Sequence, residues 1–148
     1  MKFKSDIDKF AKKSEKKVTK VLQDATLEIF SELISASPVG NASLWAKPPR
    51  TTDYIGGRFR NNWQTSMGTP SSGFNDKPDA NGALSKAMAM SVIPRIDFND
   101  TVWIVNNLPY AIALENGSST QAPRGIVKLT VKRWNRAVNA AAKKEART

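Results

Sequence analysis

The chain has 148 residues, of which 40% are hydrophobic and 24% charged, and its formal net charge is +10. This length and composition predict one globular domain, residues 1–148, that is large enough to bury its own core. The sequence contains no cysteine and no histidine. It therefore excludes disulfides, thiolate nucleophiles, metal sites built from cysteine or histidine, and acid–base catalysis by histidine.

The positive charge is concentrated at the two ends of the chain. Residues 1–20 contain eight lysines against three acidic residues, and residues 124–148 contain eight basic residues against Glu145 alone. Two basic ends on a near-neutral body indicate contact with a polyanion, such as nucleic acid or an acidic protein surface. A solvated lysine face that keeps the protein soluble is the alternative. The residues expected to face DNA or an acidic partner are Lys12, Lys13, Lys16, Lys17, Lys132 and Arg133.

Neither a targeting signal nor a membrane segment is expected. The first ten residues, MKFKSDIDKF, lack the apolar stretch and the small-residue cleavage site of a signal peptide. No apolar run reaches the roughly 18–20 residues that a membrane helix needs. We therefore expect the protein to act where it is made, or to leave the cell by lysis, without a membrane partner.

The first 35 residues have the periodicity of one long helix. Residues 1–20 are predicted to be a basic helical extension that orders against a partner, because lysines interrupt the apolar stripe there. The second half is expected to be the buried half, and Ser37-Pro38 to end the helix, since proline disfavours the α conformation of the residue before it. The apolar residues that recur at spacings of mostly three and four are Phe3, Ile7, Phe10, Val18, Leu22, Ala25, Ile29 and Leu33.

Turn-rich segments and short elements alternate through the middle of the chain. Residues 37–57, with three prolines and three glycines, predict a long loop, and residues 70–82 predict a second turn-rich connection. Between them, residues 58–69 are expected to begin with a short helix and to enter a strand. A short helix is predicted for residues 83–92, stopped by Pro94. Its shared face is expected to contain Leu84, Ala87 and Ser91, with Met88 beside it.

The last third of the chain contains the clearest strand signal, Thr101–Val105, which is β-branched and aromatic. Pro109 is expected to start a short helix that Asn116-Gly117 closes. Residues 125–142 predict one C-terminal helix, and residues 140–148 a basic tail. The sum is an α+β fold: a long N-terminal helix packed on a small, mostly antiparallel sheet, with short helices and a C-terminal helix.

Candidate catalytic groups are sparse. Asp97, Asp100 and Glu115 could supply paired carboxylates, but acidic residues in turns commonly shape the turn or cap a helix. Phosphate-cradling glycine motifs and EF-hand spacing are absent from the sequence. By elimination we expect a protein that is not an enzyme and that uses no cofactor or metal. A small hydrolase would have only carboxylates, serine, lysine or tyrosine for its chemistry.

Two segments interleave basic and aromatic residues, as nucleic-acid interfaces do. They are Arg58-Phe59-Arg60-Asn61-Asn62-Trp63 and Lys132-Arg133-Trp134. Guanidinium groups can hold phosphates while aromatic rings stack on bases. The alternative is that Phe59, Trp63 and Trp134 are core residues whose basic neighbours point outward.

A more specific pattern runs through three parts of the chain. Ser37-Pro38-Val39 is followed, after a loop, by Gly57-Arg58-Phe59-Arg60-Asn61-Asn62-Trp63. Further on come Asn106-Asn107-Leu108-Pro109-Tyr110-Ala111, Leu114-Glu115-Asn116-Gly117 and Gln121-Ala122-Pro123-Arg124-Gly125. Over about residues 20–135 the sequence resembles the neck and tail-completion proteins of tailed bacteriophages. In that family SPV is usually followed at once by D-T-G-R, whereas here Gly40 replaces the aspartate and residues 41–56 are inserted.

The resemblance implies a structural virion protein that completes the tail or joins it to the head at the neck. It implies assembly with itself, in a ring of about six copies, and contacts with other neck and tail proteins such as the tail tube, terminator and connector. Genomic DNA passing through the ring is a further expected partner. The location would be the virion tail or neck, and the host cytoplasm during assembly.

The motif residues expected to matter at subunit contacts are Arg58, Trp63, Tyr110, Glu115, Gly117, Gln121 and Pro123. One hypothesis pairs Glu115 with Arg58 or Arg124 across a subunit boundary. The alternative places Glu115 exposed, where an ion pair contributes well under about 1 kcal/mol. A nucleic-acid-binding protein that uses its basic termini remains the alternative function.

Overall fold

The computed structural model describes residues 2–45, 47–48 and 53–148 of the chain. Helix α1 covers Lys2–Ala36, followed by strand β1 at Gln64–Met67, helix α2 at Ala83–Val92 and strand β2 at Val102–Val105. Three further helices complete the order. They are α3 at Ala111–Glu115, α4 at Val127–Val131 and α5 at Trp134–Ala146. The predicted α+β fold class is therefore confirmed.

Helix α1 has the predicted length and the predicted buried half. It ends at Ala36, directly before Ser37-Pro38. Its side chains are exposed or half-buried up to Asp24. Burial begins at Ala25, where the apolar stripe becomes dense enough to pack. The buried residues of α1 are Ala25, Thr26, Ile29, Phe30, Leu33 and Ile34.

The sheet consists of β1 and β2, which pair antiparallel from Gln64 opposite Val105 to Met67 opposite Val102. A 3₁₀ turn at Arg60–Asn62 precedes β1, as the predicted helix-to-strand transition requires. The half-buried side chains of Val102 and Ile104 in β2 pack against an apolar cluster to which α1, α2 and α5 contribute, and β1 contacts α2. The most extensive partner of α1 is α5, which runs antiparallel to it.

Two adjoining apolar clusters form the core. The first joins α1, α2 and α5 through Ala25, Ile29, Phe30, Ala89, Ile93, Ile96, Ala137 and Ala141. The second joins the end of α1 to the later loops through Leu33, Ile34, Phe59, Trp63, Leu108, Ala122 and Ile126. The side chain of Ile104 packs against both clusters and links them.

The predicted C-terminal helix is wrong in one respect, since it is divided into α4 and α5. The β-branched run in α4 has low helix propensity, and the Thr130 hydroxyl donates to the Ile126 carbonyl at 2.9 Å. The break at Lys132-Arg133 lets the two parts bury different faces. Ile126 enters the second cluster, whereas Ala137 and Ala141 enter the first.

The buried face of α2 also differs from the predicted one. Ser85 and Ala89 are buried, while Leu84, Ala87 and Ser91 are exposed. The Ser85 hydroxyl accepts a hydrogen bond from the Trp63 backbone N–H at 3.0 Å, which fixes the helix rotation. The helix ends before Pro94 as predicted, in a 3₁₀ turn at Ile93–Arg95.

The long loop contains a 3₁₀ turn at Ala42–Leu44 that Asn41 caps by accepting from the Ser43 backbone N–H. Trp45 and Tyr54 contact each other edge to face, with ring centroids 4.8 Å apart. Residues 46 and 49–52 of the predicted 37–57 loop lie outside the described residues. Within the described ranges, no helix combines the length and apolarity that crossing a membrane requires.

Candidate functional site

The first two motif segments meet at the carboxyl end of α1. The Ser37 hydroxyl donates to the Leu33 carbonyl at 2.8 Å and accepts from the Trp63 indole N–H at 2.7 Å. Both residues are buried, Ser37 fully and Trp63 to 5% exposure. Trp63, predicted as an interface residue, is therefore a core residue that holds the end of α1 in place.

Arg60 joins the same region from the outside. Its Nε and Nη2 donate to the Ser37 carbonyl at 2.9 and 2.6 Å, and its Nη1 donates to the Ala80 carbonyl at 2.7 Å. A guanidinium can satisfy several helix-end and loop carbonyls at once because its donors are arranged in a rigid plane. The sequence placed Arg60 in the motif but did not indicate this structural role.

Asn61 and Asn62 hold the turn-rich 70–82 connection. The Asn62 side chain exchanges hydrogen bonds with the backbone of Asn75, accepting at 2.8 Å and donating at 3.0 Å. Asn61 donates to the Lys77 carbonyl at 2.7 Å and accepts from the Leu84 N–H at 3.0 Å. Both asparagines are buried. Their side-chain amides therefore satisfy backbone N–H and C=O groups that water cannot reach.

The burial of these residues decides between the two interpretations of the Arg58–Trp63 segment. Phe59 and Trp63 are 6% and 5% exposed, and their rings contact each other edge to face. They cannot stack on bases without unfolding the second cluster. Trp134 is half-buried against the first cluster. The core interpretation is therefore correct, and the base-stacking one is wrong for this segment.

The third motif segment is tied to the first two. The Asn106 amide donates to the Phe59 carbonyl at 2.9 Å. The Gln121 side chain pairs with the backbone of Val39, accepting at 3.1 Å and donating at 2.8 Å. Segments that are far apart in sequence thus form one packed unit. The amide of Gln121, which was predicted at a subunit contact, bonds the loop of its own chain at Val39.

Glu115 caps helix α4. Its Oε2 accepts from the backbone N–H groups of Ile126 and Val127, both at 2.8 Å, and its Oε1 accepts from that of Lys128 at 3.0 Å. Burial alone would raise the pKa of Glu115, but the three backbone donors and the nearby Lys128 charge outweigh it, so the pKa lies below its ordinary value.

This cap bears on both predicted roles for Glu115. The half-buried carboxylate is already occupied within its own chain, and among the described residues the ion-pair partner of Arg58 is Asp76, at 2.6 Å. A pair of Glu115 with Arg58 or Arg124 across a subunit boundary would have to form in addition to these three hydrogen bonds, and it stays a prediction. An experiment that exchanges Glu115 for arginine would disturb folding as well as assembly.

Two glycines make the cap possible. Gly117 has φ +88° and lies so close to the Pro123 carbonyl that a Cβ would collide with it. Gly125 has φ +85° and lies over the backbone and carboxylate of Glu115. Only glycine accepts both the left-handed backbone and the close approach. Gly117 and Pro123 are therefore structural partners of each other.

An open cleft of about 470 Å³ lies beside this packed unit. Aromatic side chains line much of it, and Tyr110 lies near Phe59, with ring centroids 6.1 Å apart. Leu44 and Ile55, each about two-thirds exposed, line an adjoining cleft with Tyr54. The cleft residues relevant here are Trp45, Tyr54, Arg58, Phe59, Tyr110 and Gln121.

Arg58 and Tyr110 contribute a guanidinium and a hydroxyl to the cleft, beside polar residues at positions 41 and 118–121. The Arg58 guanidinium lies 5.3 Å from the Phe74 ring centroid, and its buried Nε has no hydrogen-bond partner among the described residues. Burial raises the pKa of Tyr110, although the charge of Arg58 opposes this, so its hydroxyl remains protonated at neutral pH. Aromatic rings beside a hydroxyl and a guanidinium group suit contact with another polypeptide.

The predicted basic residues do not form one patch. Lys12, Lys13, Lys16 and Lys17 lie in the first half of α1, whereas Arg133 pairs with Glu32 near its far end, at 3.2 Å. At 1.5 Å per residue these groups are roughly 25 Å apart along the helix.

The basic tail approaches the α1 lysines more closely. Lys144 and Lys20 both pair with Asp24, at 3.1 and 2.7 Å. They lower the pKa of Asp24, chiefly through the hydrogen bond from Lys20. The antiparallel α1–α5 arrangement thus brings the two basic ends of the chain together.

In the described ranges no group of three or more histidine, cysteine, aspartate or glutamate residues is placed to hold a metal ion. Comparison of the chain with models of known protein families, with curated proteins and with solved structures gave no match.

Proposed function

We propose that this protein is a structural component of a tailed-bacteriophage virion that completes the tail or joins it to the head at the neck. It acts by assembly, as a ring of about six copies and through contacts with neighbouring virion proteins. The proposal includes a non-catalytic role, with no cofactor. Its location is the virion, and the host cytoplasm during assembly.

The observation that carries the proposal is the resemblance of the motif segments, supported by their joint packing. Ser37, Trp63, Asn106, Glu115 and Gln121 lie far apart in sequence and hold one another's segments in a single unit. The motif residues therefore form one packed unit, which we call the frame, and the cleft lies beside it.

The cleft beside this frame is the proposed contact surface between copies or with neck neighbours. Trp45, Tyr54, Tyr110 and Arg58 combine apolar rings with donors, the composition that dominates the binding energy of protein interfaces. Leu44, 68% exposed, adds an apolar side chain to the lining of the cleft.

Mass spectrometry of density-purified particles tests the proposal. The protein is expected in particles of the phage that carries its gene, at about six copies per particle when measured against a neck protein of known copy number. Its recovery from the lysate but not from purified particles would contradict a structural role.

A second candidate function, nucleic-acid binding through the basic termini, is favoured by the meeting of those termini at Asp24. It predicts that the logarithm of DNA affinity falls linearly and steeply with the logarithm of salt concentration. Exchange of Lys12, Lys13, Lys16 and Lys17 for glutamine would reduce that slope by about four if all four contact phosphates. An unchanged slope would reject the α1 lysines as phosphate contacts.

A further inference from the structure

The first half of α1 carries an uncovered apolar stripe. Phe3, Ile7, Phe10 and Val18 are 77%, 50%, 73% and 50% exposed. Together with Ser14 they follow one another at steps of four, three, four and four residues, which places them on one face of the helix. We call residues 2–18 the α1 extension. Within the extension, Lys2, Lys9, Lys12 and Lys16 lie on the opposite face of the helix.

This stripe continues the face of α1 on which α5 packs. Glu28 and Asp24 line a groove with Ala140, Ala141 and Lys144 of α5. Ala25 shares a buried cluster with Ala137 and Ala141 of α5, and Val21 packs against that cluster. Steps of three and four residues from Ala25 toward the amino end of α1 lead through Val21 to the stripe from Val18 to Phe3. Helix α5 ends at Ala146, shortly after Lys144 meets Asp24. The face of α1 that contacts α5 therefore extends toward the amino end of α1 beyond the point where α5 ends. We call this face the α1–α5 seam, and its part beyond α5 is uncovered.

The shape of the uncovered part of the α1–α5 seam favours a helix over a flat surface as the partner that covers it. A neighbouring helix axis lies 8–10 Å away, so α5 forms a step at the end of the stripe. A flat surface such as a bilayer would meet this step before it could contact Val18 closely. A helix of similar diameter, lying end to end with α5, fits along the roughly 24 Å of the extension.

Charge narrows the choice further. Residues 1–20 have eight lysines against Asp6, Asp8 and Glu15, and α5 with its tail is also basic. A second copy of either helix would bring positive charge against positive charge. An acidic helix would instead pair with lysines at the edges of the stripe, Lys13 and Lys17 on one side and Lys4 on the other.

We propose that the α1 extension docks an acidic amphipathic helix of a partner protein, which lies on the Phe3–Val18 stripe and prolongs α5. The inference deepens the proposed function by stating the chemistry of one partner. It relies on that function only for the expectation that the partner is a virion protein.

The test uses the full chain and a labelled peptide of about three heptads, with leucine at positions a and d, glutamate at e and g, and alanine elsewhere. A matched peptide has serine in place of every leucine. Fluorescence anisotropy in about 0.15 M salt measures binding, and hydrogen exchange locates it. The protein variants are the double substitution Phe3→Ser/Phe10→Ser and, as a matched control, Met90→Ser, which removes an exposed apolar side chain from α2.

The leucine peptide is expected to bind at least about tenfold more tightly than the serine peptide, a difference of about 1.4 kcal/mol. The double substitution should abolish this preference, Met90→Ser should keep it, and amides of residues 3–18 should become protected. Equal binding of the two peptides would overturn the proposal by showing that charge alone acts. Self-association of the wild-type chain that the double substitution removes would also overturn it, in favour of a second copy.

The two proposals fail separately. If the protein binds the leucine peptide selectively but is absent from virions, the docking proposal is supported and the proposed phage function is contradicted. If the protein is present in virions but does not prefer the leucine peptide, the proposed phage function is supported and the docking proposal is contradicted.

Discussion

The Ser37 hydroxyl shows how one small side chain connects α1 to the rest of the molecule. It accepts the only polar hydrogen of the buried Trp63 ring and donates to the last turn of α1. An unpaired buried N–H costs more than the hydrogen bond itself contributes, because the group has lost water as well.

Ser37→Ala is therefore expected to reduce the free energy of unfolding by about 1–3 kcal/mol. Urea denaturation monitored by tryptophan fluorescence measures the loss. Ser91→Ala is the control, since the Ser91 hydroxyl donates to a helix carbonyl at an exposed position and should change stability by less than about 0.5 kcal/mol. Equal losses for the two variants would contradict a structural role of the Ser37–Trp63 bond.

Glu115 makes stability depend on pH in a defined direction. Its pKa in the folded protein lies below the ordinary value of 4.5, so the unfolded chain binds a proton more readily than the folded one. The stabilisation by Glu115 is therefore complete above the ordinary pKa and disappears as the pH falls through the folded-state pKa.

Glu115→Gln is expected to cost about 1–2 kcal/mol at neutral pH, because a neutral amide oxygen caps α4 more weakly than a carboxylate. The difference from the wild type should shrink below about pH 4. Glu28→Gln, at an exposed position of α1, serves as control. A difference between wild type and Glu115→Gln that persists unchanged at about pH 3 would refute the cap as the cause.

Among the elements, those with local signals could be predicted from the sequence. Ser37-Pro38 ends α1, Pro94 ends the α2 region and β-branched residues mark β2, because each signal acts on its own neighbours. The division of α4 from α5 could not be predicted, since it depends on two core clusters that exist only after folding. Which helix Glu115 caps could not be predicted for the same reason, as the contact requires the chain to turn back at Gly117 and Gly125.

The α1–α5 pairing depends on small residues. Ala137 and Ala141 are 1% and 6% exposed between the two helices. Ala137→Leu is expected to cost about 1–3 kcal/mol by overpacking, whereas Ala142→Leu, on the exposed side of α5, should change stability by less than about 0.5 kcal/mol. Urea midpoints measure both. A neutral Ala137→Leu would mean that the two helices do not pack as closely as described.

The two halves of α1 should differ in local stability. Residues 2–18 have few buried contacts, whereas residues 25–34 enter both core clusters. We expect backbone amides of residues 4–17 to exchange with solvent at least about a hundredfold faster than those of residues 26–34, because only the second group needs global opening. Equal protection along α1 in the isolated monomer would contradict an uncovered extension.

At the scale of the whole molecule, the positive charge lies at the two ends of the chain, and residues 21–123 are close to neutral. The exposed apolar stripe lies on the first half of α1. The motif residues build the frame, the cleft at Arg58 and Tyr110 lies on it, and the α1 extension projects beyond it. The overall charge pattern was readable from the sequence. The separation of Lys132 and Arg133 from the α1 lysines was not, because it follows from the direction in which α5 crosses α1.

The central proposal, a role in joining head and tail, is tested most directly by electron microscopy of lysates in which this gene of the phage is silenced. We expect DNA-filled heads beside unattached or wrongly finished tails, with normal particles restored when the gene is supplied from a plasmid. Normal infectious particles from the silenced lysate would contradict it.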